Sequence, residues 1–124
     1  MILGIGTDIV KIIRIQKALE RTSSFLEKAF TEREIQYFKD RKNNVETIAG
    51  IFSAKEAIAK ALGTGFRGFG LTDIEIDHDE YGKPIGILGV KITEKFNLKN
   101  YRLNISISHT DEEAISFAVL EGGE

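Results

Sequence analysis

Cysteine is absent from the 124-residue sequence, and proline occurs once. Without cysteine the chain forms no disulfide, no thiolate metal site and no cysteine nucleophile, which fits a reducing compartment. A single proline argues against a hinge or a Pro-rich linker. We therefore expect one domain with one hydrophobic core over residues 1–124.

Long apolar runs and a strong charge excess are also missing. No segment approaches the roughly 20 apolar residues of a membrane span, and the N-terminal MILGIGTDIV is too interrupted by Gly and Asp for a signal peptide. The net charge is −2, and no basic tail accompanies it, which argues against non-specific nucleic-acid binding. We expect a soluble, cytoplasmic protein that binds neither nucleic acid nor membrane.

The segment FSAKEAIAKALGTG at residues 52–65 is the strongest helix signal in the chain. Its alanine-rich sequence favours a helix, with Ser53 as a candidate N-cap. Gly63 and Gly65 are expected to end the helix, because glycine accepts the left-handed backbone conformation found at helix ends.

Glu56 and Lys60 are four residues apart on this helix and therefore share one face. An exposed salt bridge between them is the commonest outcome of this spacing. The alternative is a functional pair, and the rest of the sequence decides between the two.

A mostly apolar strand is predicted for residues 2–10, and Asp8 interrupts it. A buried carboxylate is costly unless it is paired or binds a metal, so Asp8 is a candidate ligand. Alternatively, it caps a helix that begins at Ile9. Gly4 and Gly6 indicate close approach of another backbone or a ligand, or a bulge.

An amphipathic helix is predicted for residues 11–21, with Lys11, Arg14 and Arg21 on its polar side. A solvated helix face is the ordinary interpretation of such a row of cations. The functional alternative is a docking strip for an acidic partner, since long-range attraction raises association rates.

The rest of the chain predicts shorter elements, and its two histidines fall in different settings. A capping box at residues 31–34 begins a helix, and a C-terminal hairpin is predicted from alternation in residues 103–108 and 114–120. His78 lies in an acidic turn and is expected to be a solvated surface residue. His109 follows the first hairpin strand, where functional side chains are common, although a lone histidine is more often structural.

Asp8, Glu56, Lys60 and His109 are each weak signals, but together they indicate phosphoryl chemistry. Two carboxylates that leave room for water and phosphate oxygens suit Mg²⁺. A nearby lysine would neutralise phosphate charge. The sequence contains no P-loop, which argues against the common nucleotide-processing enzymes.

The sequence resembles the holo-[acyl-carrier-protein] synthases, the short bacterial family of phosphopantetheinyl transferases. The matching motifs are GIGTDIV, FSAKEAIAKALGTG, DIEIDHDEYGKPI and ISISHT, which occur in the family's order and cover essentially the whole chain. The resemblance implies an α+β domain with a small antiparallel sheet packed with helices. It also implies a homotrimer with active sites at subunit interfaces.

The implied reaction moves phosphopantetheine from coenzyme A to a serine of apo acyl carrier protein. By motif, Asp8 and Glu56 would bind Mg²⁺, and Lys60 would contact phosphate or the leaving group. A metal-bound water and Glu56 stay open as the group that deprotonates the serine. A catalytically silent scaffold that binds carrier protein or coenzyme A is the alternative function.

The resemblance also assigns contacts to the two larger partners. Gly63 and Gly65 would let the backbone approach coenzyme A, and His109 with Thr110 would contact its nucleotide end. Arg14 and Arg21 match positions that meet the acidic recognition helix of the carrier protein. One position departs from the family pattern, since Ile51 stands where arginine is frequent.

Overall fold

Five β-strands and five α-helices make up residues 1–123, the part of the chain that the computed structural model describes. Within these residues, no helix combines the length and the hydrophobicity that a membrane span would need. In chain order the elements are β1 (Ile2–Lys11), α1 (Ile12–Arg21), α2 (Phe25–Ala29), α3 (Glu32–Asp40), α4 (Val45–Ala61), a 3-10 helix (Leu71–Asp73), β2 (Ile74–His78), β3 (Pro84–Leu88), α5 (Val90–Lys95), β4 (Arg102–His109) and β5 (Glu113–Glu121).

The strands form two antiparallel sheets. The larger sheet has the order β1-β5-β4, and the smaller one pairs β2 with β3. The predicted C-terminal hairpin is confirmed, with Ile105 of β4 opposite Ala118 of β5. The last strand also pairs with the first, which places Asp8 opposite Ser116. Antiparallel strands with helices packed on them make an α+β fold, as expected.

The longest helix, α4, lies directly against β1. A Cβ atom added to Gly4 would lie 1.8 Å from the carbonyl oxygen of Ala61, and one added to Gly6 would lie 1.9 Å from that of Ala57. Any side chain at either position would therefore push the helix away. Of the alternatives left open by the sequence, the glycines mark close approach of another backbone, and they set α4 close to the strand that carries Asp8.

The N-cap of α4 differs from the Ser53 cap that the sequence suggests. Ser53 is not the N-cap but a fully buried residue within the helix, and its hydroxyl donates to the carbonyl oxygen of Asp8 at 3.2 Å. The cap is Asn44, whose side chain accepts from the backbone N–H of Thr47 at 3.1 Å. The helix continues through Gly50 because tertiary packing outweighs the propensity cost of about 1 kcal/mol for a helical glycine.

The end of α4 agrees with the sequence prediction. The helix ends at Ala61, and both following glycines have left-handed backbone conformations, with φ of 90° at Gly63 and 64° at Gly65. The N–H of Gly63 donates to the carbonyl oxygen of Lys60 at 2.9 Å. The chain therefore leaves the helix direction at Gly63, three residues after Lys60.

Asp8 lies inside β1 and does not cap α1, so the capping alternative is wrong. The strand continues beyond Asp8 because Val10 pairs with Ala114 and Lys11 with Glu113. Lys11 consequently ends the strand, and of the three cations predicted on the helix only Arg14 and Arg21 belong to α1.

The core lies between α4 and the larger sheet and continues into a cluster of aromatic rings at α2 and α3. Phe30 and Phe38 meet edge to face there, with ring centroids 4.9 Å apart. The opposite face of the sheet is bare in the described chain. Its exposed apolar side chains belong to alternate positions of β1 and β5: Ile5, Ile9, Ile115 and Phe117, which are 60%, 56%, 44% and 42% exposed.

Candidate active site

Asp8 lies in β1 where this strand packs against α4, and its side chain is mostly buried. The carboxylate is 15% exposed, and the carbonyl oxygen of the same residue accepts the hydroxyl of Ser53. An acidic side chain this far from water needs an opposite charge or a cation. The close packing at Gly4 and Gly6 thus fixes a charged group at the helix–strand junction.

Glu56 and Lys60 project from α4 toward this junction, one helical turn apart. Lys60 contacts Asp8, with Nζ 3.6 Å from Oδ1, and donates to the carbonyl oxygen of Thr7 at 2.9 Å. The i, i+4 salt bridge to Glu56, the ordinary outcome of the spacing, is replaced by these contacts to β1. The structure therefore brings together the three predicted residues Asp8, Glu56 and Lys60, which we call the cleft cluster.

The electrostatics of the cleft cluster favour a bound cation. Burial, and then the charge of Asp8, raise the pKa of Glu56, while the charge of Lys60 lowers it. Two carboxylates held close together at the cost of mutual repulsion suit a hard divalent cation such as Mg²⁺. Residues 1–123 contain no group of three or more His, Asp or Glu side chains placed to hold a metal, so water and substrate oxygens would complete the coordination.

A cleft of about 330 Å³ opens beside the cleft cluster, between β1, α1, α2 and α4. Asp8 and Glu56 line it together with Arg14, Phe25 and Phe52. Its walls are therefore acidic at one end, basic at α1 and apolar between. Of the two predicted docking residues, the structure places Arg14 in this cleft and leaves Arg21 exposed at the end of α1.

His109 and Thr110 lie elsewhere. His109 ends β4, with Nδ1 3.2 Å from Oε2 of Glu46, and both residues line a second cleft with Ile51. The hydroxyl of Thr110 accepts the N–H groups of the following turn. The two clefts have no lining residue in common, so one chain does not bring His109 and Thr110 to the cleft cluster.

The sequence interpretation of His78 is wrong, since the ring is half-buried in the second cleft. It stacks on Tyr37 with centroids 4.1 Å apart and planes within 1°, and Arg41 lies 3.5 Å from the centroid of the same tyrosine. Burial, and then the charge of Arg41, lower the pKa of His78. An acidic turn in the sequence gave no signal for this stack, because Tyr37 is distant along the chain.

A further Lys–Glu pair was not predicted at all. Lys55 and Glu34, which we call the buried pair, are in ionic contact and fully buried. Lys55 also donates to the carbonyl oxygens of Ala29 and Leu71 at 2.9 and 3.0 Å, and Glu34 accepts from the N–H of Ile76 at 2.7 Å. Every charge of the buried pair therefore has protein partners, which leaves none for a ligand.

The relationship of the chain to known proteins agrees with this geometry. Residues 4–118 match the family model of the 4'-phosphopantetheinyl transferase superfamily. The chain belongs to this superfamily. The match covers the cleft cluster, both clefts and all five strands up to residue 118, and it confirms the resemblance found in the sequence motifs.

Individual members of the superfamily are similar along nearly the whole chain. The holo-[acyl-carrier-protein] synthase of Clostridium botulinum (strain Alaska E43 / Type E3) is 59% identical over 121 residues, covering 98% of each protein. The Helicobacter pylori synthase, solved in complex with coenzyme A, has a TM-score of 0.84 at 36% identity, covering 94% of this chain and 99% of that one. A Bacillus anthracis synthase, solved in complex with CoA (3',5'-ADP), has a TM-score of 0.83 at 38% identity, covering 99% of each.

Proposed function

We propose that this chain transfers the 4'-phosphopantetheine group of coenzyme A to a serine of apo acyl carrier protein. The products are holo acyl carrier protein and adenosine 3',5'-bisphosphate, and the reaction supports fatty acid biosynthesis in the cytoplasm. Residues 1–124 act as one transferase domain. The observation that carries the proposal is the cleft cluster, found in a chain 59% identical to a holo-[acyl-carrier-protein] synthase.

The serine oxygen attacks the phosphorus that bears pantetheine, and the bond from that phosphorus to the bridging oxygen breaks. The electron pair stays on the bridging oxygen, which leaves with the adenosine nucleotide. Lys60 lies beside Asp8 with its side chain 56% exposed, so its ammonium is free to contact a phosphate oxygen of the leaving group. Glu56, whose pKa burial raises, is the group of this chain that could accept the serine proton.

Asp8 and Glu56 are the residues that would hold Mg²⁺. When bound, the ion supplies positive charge against the pyrophosphate oxygens. The donor set supports this assignment, because both side chains are carboxylates, and burial and then the charge of Asp8 raise the pKa of Glu56. Ser53 and the glycine contacts of β1 keep the strand that carries Asp8 against α4.

The nucleotide end of coenzyme A is assigned to His109 and Thr110, with backbone approach at Gly63 and Gly65. The left-handed glycines support that approach, since no atom lies within 4 Å of a Cβ added at either one. Ile51 lines the same cleft as His109. Ile51 carries no charge, so a coenzyme contact that an arginine would make at this position falls to another residue of this chain.

The acyl carrier protein is assigned to the cationic side of α1. Arg14 lines the cleft that contains Asp8 and Glu56, and Arg21 continues the same helix side at its exposed end. An acidic helix bound along α1 would therefore hold its serine near the cleft cluster. Attraction between the two charged surfaces would chiefly raise the association rate.

The working assembly is a homotrimer with active sites at subunit interfaces. Two observations support it: the bare sheet face with Ile5, Ile9, Ile115 and Phe117 is apolar enough to be covered by another copy, and His109 lies in a different cleft from Asp8. In such an assembly the nucleotide cleft of one copy completes the cleft cluster of another. An isolated monomer would be inactive.

Subunit complementation tests this composite site. We expect Asp8→Ala and His109→Ala variants to be inactive or weak alone and to regain part of the wild-type rate when they are refolded together. Mixed trimers would contain some interfaces in which both residues are intact. A mixture no more active than its two components would contradict the composite site.

Intact-protein mass spectrometry tests the reaction itself. Apo acyl carrier protein incubated with this chain, coenzyme A and Mg²⁺ should gain the mass of phosphopantetheine, and a chelator should prevent the gain. No gain with folded, trimeric protein would contradict the transferase and favour a scaffold that binds the same partners.

A further inference from the structure

Lys60 makes its polar contacts with β1. Its Nζ lies 3.6 Å from Oδ1 of Asp8 and 2.9 Å from the carbonyl oxygen of Thr7. The side chain is 56% exposed, so it is held by these contacts and not by packing. It therefore occupies the position of a cation beside the carboxylate pair while remaining free to turn outward.

The carboxylates need such a charge. Asp8 is mostly covered, with its side chain 15% exposed, and Glu56 lines the same cleft. Lys60 is in ionic contact with Asp8. An ammonium and a divalent cation beside the same carboxylate repel each other, because both are positive and the site is partly shielded from water. Binding of a divalent cation at Asp8 and Glu56 thus opposes the present position of Lys60.

We infer that Lys60 is the resident counter-ion of Asp8 and Glu56 and exchanges with the divalent cation. When the cation binds, the ammonium leaves Asp8, and it is then free to contact a phosphate oxygen of the coenzyme. This inference rests on the proposed function for the cation and the coenzyme. It adds an order of events, in which cation binding makes the phosphate-binding lysine available.

The exchange predicts opposite effects on cation binding and on transfer. Removing the ammonium removes both the repulsion and the ion pair that must be broken, so divalent affinity should rise. Transfer should fall, because the phosphate loses its lysine. If Lys60 served only to keep β1 against α4, its removal would loosen the site and lower divalent affinity instead.

Direct titration with Mn²⁺ at low salt tests the exchange without using activity. Binding is measured by calorimetry or by the electron paramagnetic resonance signal of free Mn²⁺. We expect Lys60→Met to bind Mn²⁺ about threefold to tenfold more tightly than wild type, with a gain that shrinks as salt rises. Lys99→Met removes the same charge from the exposed loop after α5 and should leave the affinity unchanged. In an Asp8→Asn background the gain from Lys60→Met should largely disappear.

Affinity in Lys60→Met that equals or falls below that of wild type would overturn the exchange. Equal gains in Lys60→Met and Lys99→Met would also overturn it, since they would reflect net charge alone. If wild type transfers phosphopantetheine and binds Mn²⁺ but Lys60→Met gains nothing, the exchange fails and the proposed function stands. If wild type binds no Mn²⁺ at all, the metal assignment and the exchange both fail.

Discussion

Two groups of charged side chains each include a lysine of α4, and they differ in how many polar atoms remain free for a ligand. The buried pair, Lys55 and Glu34, is fully buried and in contact with carbonyl and N–H groups of four neighbouring segments. The cleft cluster is partly exposed, and the Lys60 ammonium has one carboxylate and one carbonyl oxygen as partners. Both groups pair a lysine of α4 with a carboxylate, so burial and the surrounding hydrogen bonds distinguish them.

The contrast fits a structural role for the buried pair and the catalytic role that we propose for the cleft cluster. Burial raises the pKa of Glu34 and lowers that of Lys55, and each charge is kept by the other and by the hydrogen bonds around it. Such a pair is costly to break but offers no free coordination. In the cleft cluster the charges are less completely compensated, which leaves room for a cation and a phosphate. The buried pair links α4 to the neighbouring segments.

The largest effect should come from the buried pair. Lys55→Met leaves Glu34 as an uncompensated buried charge, and we expect a loss of about 3–5 kcal/mol in the free energy of unfolding. Lys60→Met makes the same substitution in the cleft cluster and should cost only about 1 kcal/mol, because the Lys60 side chain is 56% exposed and its ion pair with Asp8 lies beside an open cleft. Denaturant unfolding of both variants measures the difference, and equal losses would remove the distinction between the two groups.

A change at Asp8 should act on chemistry and spare the fold. Asp8→Asn keeps the shape of the side chain but weakens divalent binding, so we expect transfer to fall by about 100-fold or more. Asp40→Asn, at the exposed end of α3, is the matched control and should transfer at the wild-type rate. The mass of the carrier protein over time gives both rates. Near-normal transfer by Asp8→Asn would remove the metal assignment.

A smaller effect is expected from Arg14, whose charge faces solvent. Arg14→Glu should slow association with the carrier protein about tenfold at low salt, and the effect should weaken as ionic strength rises. Lys99→Glu changes the net charge equally at a site outside the cleft. Stopped-flow association measures both variants. An unchanged rate for Arg14→Glu at low salt would contradict docking along α1.

The smallest effect concerns pH. Because burial and Asp8 raise the pKa of Glu56, protonation should begin to weaken Mn²⁺ binding at a higher pH than for an ordinary glutamate. The affinity should therefore fall as pH is lowered through the raised pKa of Glu56. Glu56→Gln, which cannot titrate, should bind Mn²⁺ more weakly at every pH and should lack this step. Mn²⁺ titrations across the range would contradict the assignment if both proteins showed the same pH dependence.

Local signals in the sequence predicted much of the fold. The capping box is present, with the N–H of Thr31 donating to Glu34 and the N–H of Glu34 to the Thr31 hydroxyl. The C-terminal hairpin and the glycine-terminated end of α4 are also as predicted. These features depend on residues close along the chain. The N-cap assigned to Ser53 failed because its hydroxyl is used by Asp8, 45 residues away.

The site was predictable only in its residue types. Motifs pointed to Asp8, Glu56 and Lys60 together, but helical spacing favoured a Glu56–Lys60 pair over the observed contact of Lys60 with Asp8. The buried pair and the stacked His78 went unpredicted, because their partners come from distant segments. The bare sheet face could not be located before the strand order was known.

One substitution tests most directly whether Glu56 is needed for transfer although its charged form destabilises the fold. Since the folded pKa of Glu56 is raised, the stability linked to this group is full at low pH and is lost as pH rises through that pKa. At neutral pH the charged side chain therefore weakens the fold, and Glu56→Gln relieves it. Thermal unfolding and phosphopantetheine transfer should be measured on the same preparation. We expect Glu56→Gln to unfold at or slightly above the wild-type temperature and to show no measurable transfer. Transfer at the wild-type rate, or a loss of transfer that unfolding of the variant explains, would contradict the role assigned to the cleft cluster.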